Sequence, residues 1–291
     1  WGGYTVAMVQ TLSRNINSYQ NQLGKIGIVL VDEADLGDSK TYKKILQKCV
    51  NASVVVGLSG TIYLSKLKKH QQKNMNLRSF FGDEVFKITK KDMVDKGYST
   101  KIIIRINKGS EKPSLGKGQG HWQEEYRMGI MYNEDRALKV ARRLQWNIKF
   151  QRIPALVICQ YHDHVEMMYN IISEYFKGRD LIIKAAHHKT KERKTIMKQF
   201  REGDVDILIT TFIVKRGKNF PLTKLLINAA GSDSQATVLQ LMGRLERKDE
   251  TKKKAYMEDF FDSGTYLARH SRHRLAYYKK EGFKVIENYK N

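Results

Sequence analysis

Cysteine is scarce in this chain: two occur, Cys49 and Cys159, each among apolar neighbours in LQKCV and VICQY. That excludes a disulfide-stapled scaffold. The pair is expected as buried free thiols, the form a reducing compartment favours. Long apolar runs are missing too. None approaches the roughly 18 residues of a membrane-spanning helix, and no basic-then-apolar leader opens the chain. A membrane role is not expected, and the expected compartment is the cytoplasm, or the host cytoplasm if the source is viral. The first residues, WGGYTVAM, read like chain already inside a fold, so a start further upstream is expected.

Acids are the third shortage. Against 53 lysines and arginines stand 30 aspartates and glutamates, a net charge of +23. Such an excess points to a polyanion, because neutralising phosphates releases condensed counterions and drives association. Nucleic acid leads that list, although an anionic membrane surface would also attract the chain. The fourth lack is a motif. A phosphate-cradling loop needs G-x4-G-K-[ST], whose backbone amides and lysine hold phosphates and whose hydroxyl binds magnesium. Here the Gly-Lys pairs are followed by Ile26, Gly118 and Asn219, none of them a hydroxyl residue.

What is present is an alternation of short apolar runs with helical patterns. IGIVLVD (26–32), SVVVGLSG (53–60), KIIIRI (101–106), ALVICQY (155–161), DLIIKAA (180–186), VDILITT (205–211) and KLLINAA (224–230) are β-branched runs closed by Gly, Asp or Ser. They read as strands buried on both faces. Between the later ones, Val165, Met168, Ile172 and Phe176 form one helical face, and Ile196, Met197 and Phe200 part of another. The alternation predicts parallel α/β sheets with right-handed crossovers. NKGSEKPSLGKGQG (107–120) reads as a linker. Asn133 is the expected N-cap of a helix over 133–150, with Leu138, Ala141, Leu144 and Ile148 on one side. The expected division is a first lobe over 1–106, a linker and connecting helix over 107–150, a second lobe over 151–258 and a basic helical tail over 259–291.

Three short segments carry chemistry. In VDEAD (31–35) a strand ends on Asp32 and Glu33, at the edge where open α/β sheets bind ligands. An Asp there can hold magnesium, and a neighbouring Glu can orient and deprotonate water. A solvated acidic turn would read the same. GLSGT (57–61) ends the next strand with Ser59 and Thr61, able to hydrogen-bond back to the acidic run or simply to shape a turn. In QLMGRLERK (240–248), Gln240, Gly243, Arg244 and Arg247 fall on one helix face. Two arginines there can stabilise charge in phosphoryl transfer, and a solvated basic face is the plain alternative. The histidines at 162, 164, 187 and 188 lack a Cys or acid at ligand spacing and read as loop residues. In the tail, Arg269, Arg272, Arg274, Lys279 and Lys280 alternate with Tyr266, Tyr277 and Tyr278. That surface could track phosphates and stack bases, or pack its tyrosines on the second lobe.

Taken in order, these pieces resemble the superfamily 2 helicases over most of the chain. YTVAMVQTLSRN (4–15) looks like that family's DNA-backbone segment, VDEAD like its acidic box and GLSGT like its Ser-x-Thr coupling motif. TTFIVKRGKNFP (210–221) is similar in part to Thr-x5-Gly-x-Asp-x-Pro, and QLMGRLERK fits Gln-x2-Gly-Arg-x2-Arg in full. Within the superfamily the chain looks most like the phage UvsW-like branch-migrating helicases, near the RecG and XPB types. The resemblance implies two RecA-like parallel-sheet lobes, the first incomplete, with a basic C-terminal helix. It makes Asp32 the magnesium carboxylate, Glu33 the catalytic base, Arg244 and Arg247 the finger arginines and Gln240 a contact to the γ-phosphate or water. Ser59, Thr61 and Gly217 become coupling residues. Thr11, Ser13, Arg14 and Thr211 would lie against the nucleic-acid backbone. Asn219 and Arg216 depart from the pattern, where the family carries acids.

The expectation is thus a fragment or subunit of an ATP- and magnesium-dependent DNA helicase or translocase, acting on single-stranded or branched duplex DNA. Alone it would be inactive, a further segment or separate polypeptide supplying the phosphate loop. The alternative is a helicase-derived module that binds nucleic acid without hydrolysis.

Overall fold

The computed structural model describes residues 2–60, 68–109, 121–212, 220–233, 242–243, 245, 252 and 254–289. The chain divides into two compact units, Trp1–Lys87 and Ile88–Asn291.

In the first unit, β1 (Ile28–Asp32) and β2 (Val54–Leu58) pair in parallel, Ile28 beside Val54 and Asp32 beside Leu58. Helices α1 (Val9–Arg14), α2 (Gln20–Leu23) and α3 (Lys40–Leu46) supply a small core of Ile16, Leu23, Ile45 and Cys49. A serine starts α3: the Ser39 hydroxyl accepts the Tyr42 amide, the side-chain cap that compensates an orphan helix donor. Helix α4 (Lys68–Phe81) ends in Phe81, whose ring reaches the end of β2 because residue 57 is glycine. A β-carbon there would lie 2.8 Å from Ala34 Cβ and 2.9 Å from Phe81 Cγ.

The second unit holds a sheet of seven strands, all parallel. In chain order they are β3 (Lys101–Lys108), β4 (Ala155–Ile158), β5 (Ile183–Ala186), β6 (Ile207–Thr210), β7 (Leu225–Asn228), β8 (Lys254–Phe261) and β9 (Lys284–Glu287). Across the sheet they run β5-β6-β4-β7-β8-β3-β9. Among the described residues its α-helices are α5 (Lys90–Asp95), α6 (His121–Tyr126), α7 (Glu134–Lys149), α8 (His162–Tyr175), α9 (Arg193–Glu202) and α10 (Thr265–Lys280). On one face α7 and α8 bury Ala137, Val140, Ala141, Leu144, Val165, Met168, Ile172 and Phe176. On the other, Ile196, Met197 and Phe200 of α9 pack with Tyr277 and Tyr278 of α10. Each fully buried large aliphatic side chain contributes about 1.5–3 kcal/mol, so a sheet covered on both faces is the stable arrangement for continuous apolar strands. Asn133 caps α7, its side chain accepting the Arg136 amide at 3.1 Å. Both cysteines are free and buried.

The expected boundaries require correction. KIIIRI was assigned to the first lobe, but β3 pairs with β8 and β9 inside the second unit, Ile102 beside Ala255. Asn107, placed in the linker, is a buried strand residue donating to Glu258. The division at 258 cuts through β8, and the tail is no appendage, because α10 covers the sheet and β9 extends it. Periodicity shows that a strand exists; it does not show which partner, some 150 residues away, it will find. The predicted α7 face is rotated slightly: Ala137 and Val140 are buried where Leu138 is only half-buried.

Candidate functional site

In-register pairing puts the ends of VDEAD and GLSGT side by side at the carboxyl edge of β1 and β2. Beyond that edge the backbone turns sharply at Glu33, with φ 52° and ψ 46°. That left-handed conformation costs a non-glycine residue about 1–2 kcal/mol. Two local features hold it: the Glu33 amide donates to Asp32 Oδ1 at 2.8 Å, and Ala34 is fully buried beneath the turn. Asp32 and Glu33 are themselves exposed. The Ser59 hydroxyl donates to Asp35 Oδ1 at 3.2 Å, joining the two motifs. Asp38 closes the far side of the turn, paired with Lys43 at 2.6 Å and accepting from Asn76 at 2.6 Å. Burial pushes its carboxyl up, but those hydrogen bonds and the charges of Lys43 and Lys73 outweigh that and hold it below the ordinary carboxylate range. An exposed carboxylate with an oxygen already oriented by a backbone amide is the type of hard oxygen ligand that suits a water-rich magnesium ion.

The remaining predicted residues divide into three groups. Thr11 and Arg14 are exposed one turn apart on α1, with Ser13 half-buried between them. Thr211, just beyond β6, is 7% exposed. Thr61, Gly217, Gln240, Arg244 and Arg247 lie outside the described residues. Within QLMGRLERK, Met242 and Leu245 are fully buried in the α9 face of the sheet, and a β-carbon at Gly243 would meet nothing within 4 Å.

The tail's two readings separate cleanly. Arg274, Tyr277 and Tyr278 are core residues. Arg274 donates to both oxygens of Asp259 at 2.9 and 3.1 Å, and the Tyr278 hydroxyl shares that carboxylate at 2.6 Å. The Asp259 charge more than offsets the burial of Arg274 and raises its already high pKa. Arg269, Arg272 and Lys280 stay exposed. Arg274 also donates to the Gly231 carbonyl at 2.8 Å, while Arg136 of α7 pairs with Asp262 and donates to the Ala229 carbonyl at 2.6 Å. Between them the Tyr126 hydroxyl holds the Ala230 carbonyl. Three side chains from three helices thus fix the exit of β7, the loop that leads into QLMGRLERK.

Other groupings escaped the sequence reading. Glu258, fully buried, gathers Arg143 at 3.1 Å, Arg105 at 3.6 Å and Asn147, with Trp146 stacked against Arg105, Arg143 and Arg152. A signal was available: the acids in MEDFFD (257–262) interrupt an apolar run and need buried partners. The histidines do find acids, His187 with Glu166 at 2.6 Å and His162 with Asp163 at 2.8 Å. Even so, among the described residues no cluster of three or more His, Cys, Asp or Glu is arranged to hold a metal. His164 is fully buried and neither ring nitrogen has a hydrogen-bond partner.

Residues 139–249 match the helicase conserved C-terminal domain. The match runs from α7 through QLMGRLERK, and the seven-stranded parallel unit has the RecA-like fold of a helicase C-terminal lobe. Eukaryotic initiation factor 4A-1 of Arabidopsis thaliana is 21% identical over 262 residues, which is 83% of this chain and 63% of that protein. S. cerevisiae Dbp5 bound to RNA and ADP BeF3 superposes with a TM-score of 0.58 at 16% identity, covering 97% of this chain and 65% of that one. T4 UvsW gives 0.50 at 19% identity, covering 97% and 56%. At these identities the likeness is one of fold, and it does not set a UvsW-like branch apart. The chain spans between 12% and 63% of three curated relatives that it matches. Among the described residues no helix is long and apolar enough to cross a membrane.

Proposed function

We propose that this chain is part of an ATP-dependent DNA helicase or translocase that acts on branched or duplex DNA. The observation that carries this reading is the junction of VDEAD and GLSGT at one strand edge through the Ser59–Asp35 hydrogen bond. The helicase C-terminal domain follows it in the same chain. In this reading Asp32 would hold magnesium, which would offset the negative charge of the ATP phosphates, and Glu33 would take the proton of the attacking water. Gln240, Arg244 and Arg247 complete the phosphate contacts, Thr61 and Gly217 work with Ser59 in coupling, and Thr11, Ser13, Arg14 and Thr211 face the nucleic acid.

The phosphate loop would come from a further segment or another polypeptide. The bare face of the first sheet supports this: Ile28 is 63% and Leu30 68% exposed, on a parallel pair of a kind normally covered on both faces. Joined to a segment carrying G-x4-G-K-[ST], the chain is expected to hydrolyse ATP in a DNA-stimulated manner. Glu33→Gln should lower kcat by about 100- to 10,000-fold, the range for loss of a general base. Hydrolysis indifferent to Glu33→Gln would sink the assignment.

The net charge of +23 and the exposed Arg269, Arg272 and Lys280 favour a second reading, a module that binds nucleic acid without hydrolysis. Its mark is salt-sensitive DNA affinity that no nucleotide alters, with the phosphate-loop segment present.

A further inference from the structure

Lys252 lies four residues beyond QLMGRLERK and is only 4% exposed. Its ammonium donates to three main-chain carbonyls: Pro221 at 2.8 Å, Leu245 at 3.0 Å and Thr223 at 3.3 Å. An ammonium with three rotatable donors suits acceptors spread in different directions better than the planar fork of arginine does. The acceptors have a pattern. Pro221 ends TTFIVKRGKNFP and Thr223 follows it, whereas Leu245 sits inside QLMGRLERK, between Arg244 and Arg247. The two segments meet again beneath this bridge, where Phe220, Met242 and Leu245 share the core with Phe200.

We infer that Lys252 is a positioning residue that ties the 210–221 segment to the arginine segment, so that a displacement of one is passed to the other. The inference rests on the proposed function for its meaning, since that reading gives the first segment a nucleic-acid contact and the second its phosphate contacts. The physical link itself is independent of it. Strands β6 and β7 end at separate places on the sheet edge, and their following loops have no covalent reason to move together. A point charge holding carbonyls from both supplies one. Hydrogen bonds from a charged donor are stronger than neutral ones, enough to keep the two segments in step.

The test uses the full chain and hydrogen–deuterium exchange. Lys252→Met keeps an unbranched side chain of nearly the same length and removes the ammonium protons. It is expected to speed amide exchange at least about tenfold over 220–223 and 242–249, the effect of one lost buried hydrogen bond, and to leave β4 and β6 unchanged. Unchanged exchange over 242–249, or acceleration shared equally by β4 and β6, overturns the link. Adding a single-stranded DNA oligonucleotide should alter exchange over 211–223 and 240–249 in the wild type, and over 211–223 alone in the variant. Should DNA leave 211–223 untouched in the wild type, the nucleic-acid contact fails while the ligand-free comparison still decides the link. If the variant does not fold, NMR of the wild type with 15N-labelled lysine decides. A slowly exchanging Lys252 ammonium coupled to the carbonyls of residues 221, 223 and 245 supports the link, and a rapidly exchanging one overturns it.

Discussion

The two parallel sheets handle charge and apolar surface in opposite ways. In the first unit, Asp32 and Glu33 are exposed at the end of a two-stranded sheet whose Ile28 and Leu30 are also exposed, over a core of four fully or nearly buried residues. The seven-stranded sheet of the second unit is covered on both faces, and its Arg136–Asp262 and Arg274–Asp259 pairs lie inside. A parallel pair alone cannot bury both faces, and two strands are marginal without further packing. The acidic box therefore sits on a frame that needs more covering, whereas the arginine segment hangs from one already complete. Charge at the first sheet is available for chemistry, and charge inside the second is spent on architecture.

That contrast breaks most readily at Arg274. Arg274→Ala strands Asp259 without its partner and should cost about 3–5 kcal/mol, as loss of one member of a buried ion pair does. Urea unfolding followed by Trp146 fluorescence measures it; a cost under about 1 kcal/mol, the range of surface ion pairs, would mean that the internal charges are not structural. Acid sharpens the contrast next. Burial, helped by the nearby Arg136 charge, pushes His164 down to about 3. A histidine so depressed is neutral when folded and gains a proton on unfolding, so its share of stability is present above the unfolded value and lost as pH falls. Between about pH 6.5 and 3 the slope should approach about 1.4 kcal/mol per pH unit. His164→Leu should flatten that part of the stability profile, and an unchanged profile would contradict it. The smallest effect belongs to the first unit. Leu30→Ala should change stability by less than about 0.5 kcal/mol in this chain, as at other exposed positions. The same substitution should weaken capture of a polypeptide that covers the sheet; a large loss of stability in the chain alone would show that the face is already in use.

Much of this was legible in the residues. The strand segments, the Asn133 cap, the α8 and α9 faces and the free thiols follow from period, capping chemistry and composition, all local properties. What was misread depended on distance along the chain. KIIIRI has the same pattern in either lobe, and only its pairing with β8 places it. The tail's tyrosines pack inward, as one of its two readings had it, but Arg274 stood among the basic surface residues in both, and Asp259 turns it inward. At the candidate site the sequence named Asp32, Glu33 and Ser59 but not Asp35, the acid that receives the Ser59 hydroxyl.

By itself the sequence determined that apolar parallel strands alternate with helices, that a basic chain carries an acidic strand end, and that a helicase-like order of motifs runs through it. Those are properties of short windows, set by side-chain period and by chemistry that neighbours in the chain supply. Only the tertiary structure decided which charges face water and which are buried, which sheet owns β3, and that a lysine outside every motif holds Pro221, Thr223 and Leu245 together. A charge can be buried only where partners from distant segments converge to compensate it, and convergence is a property of the fold.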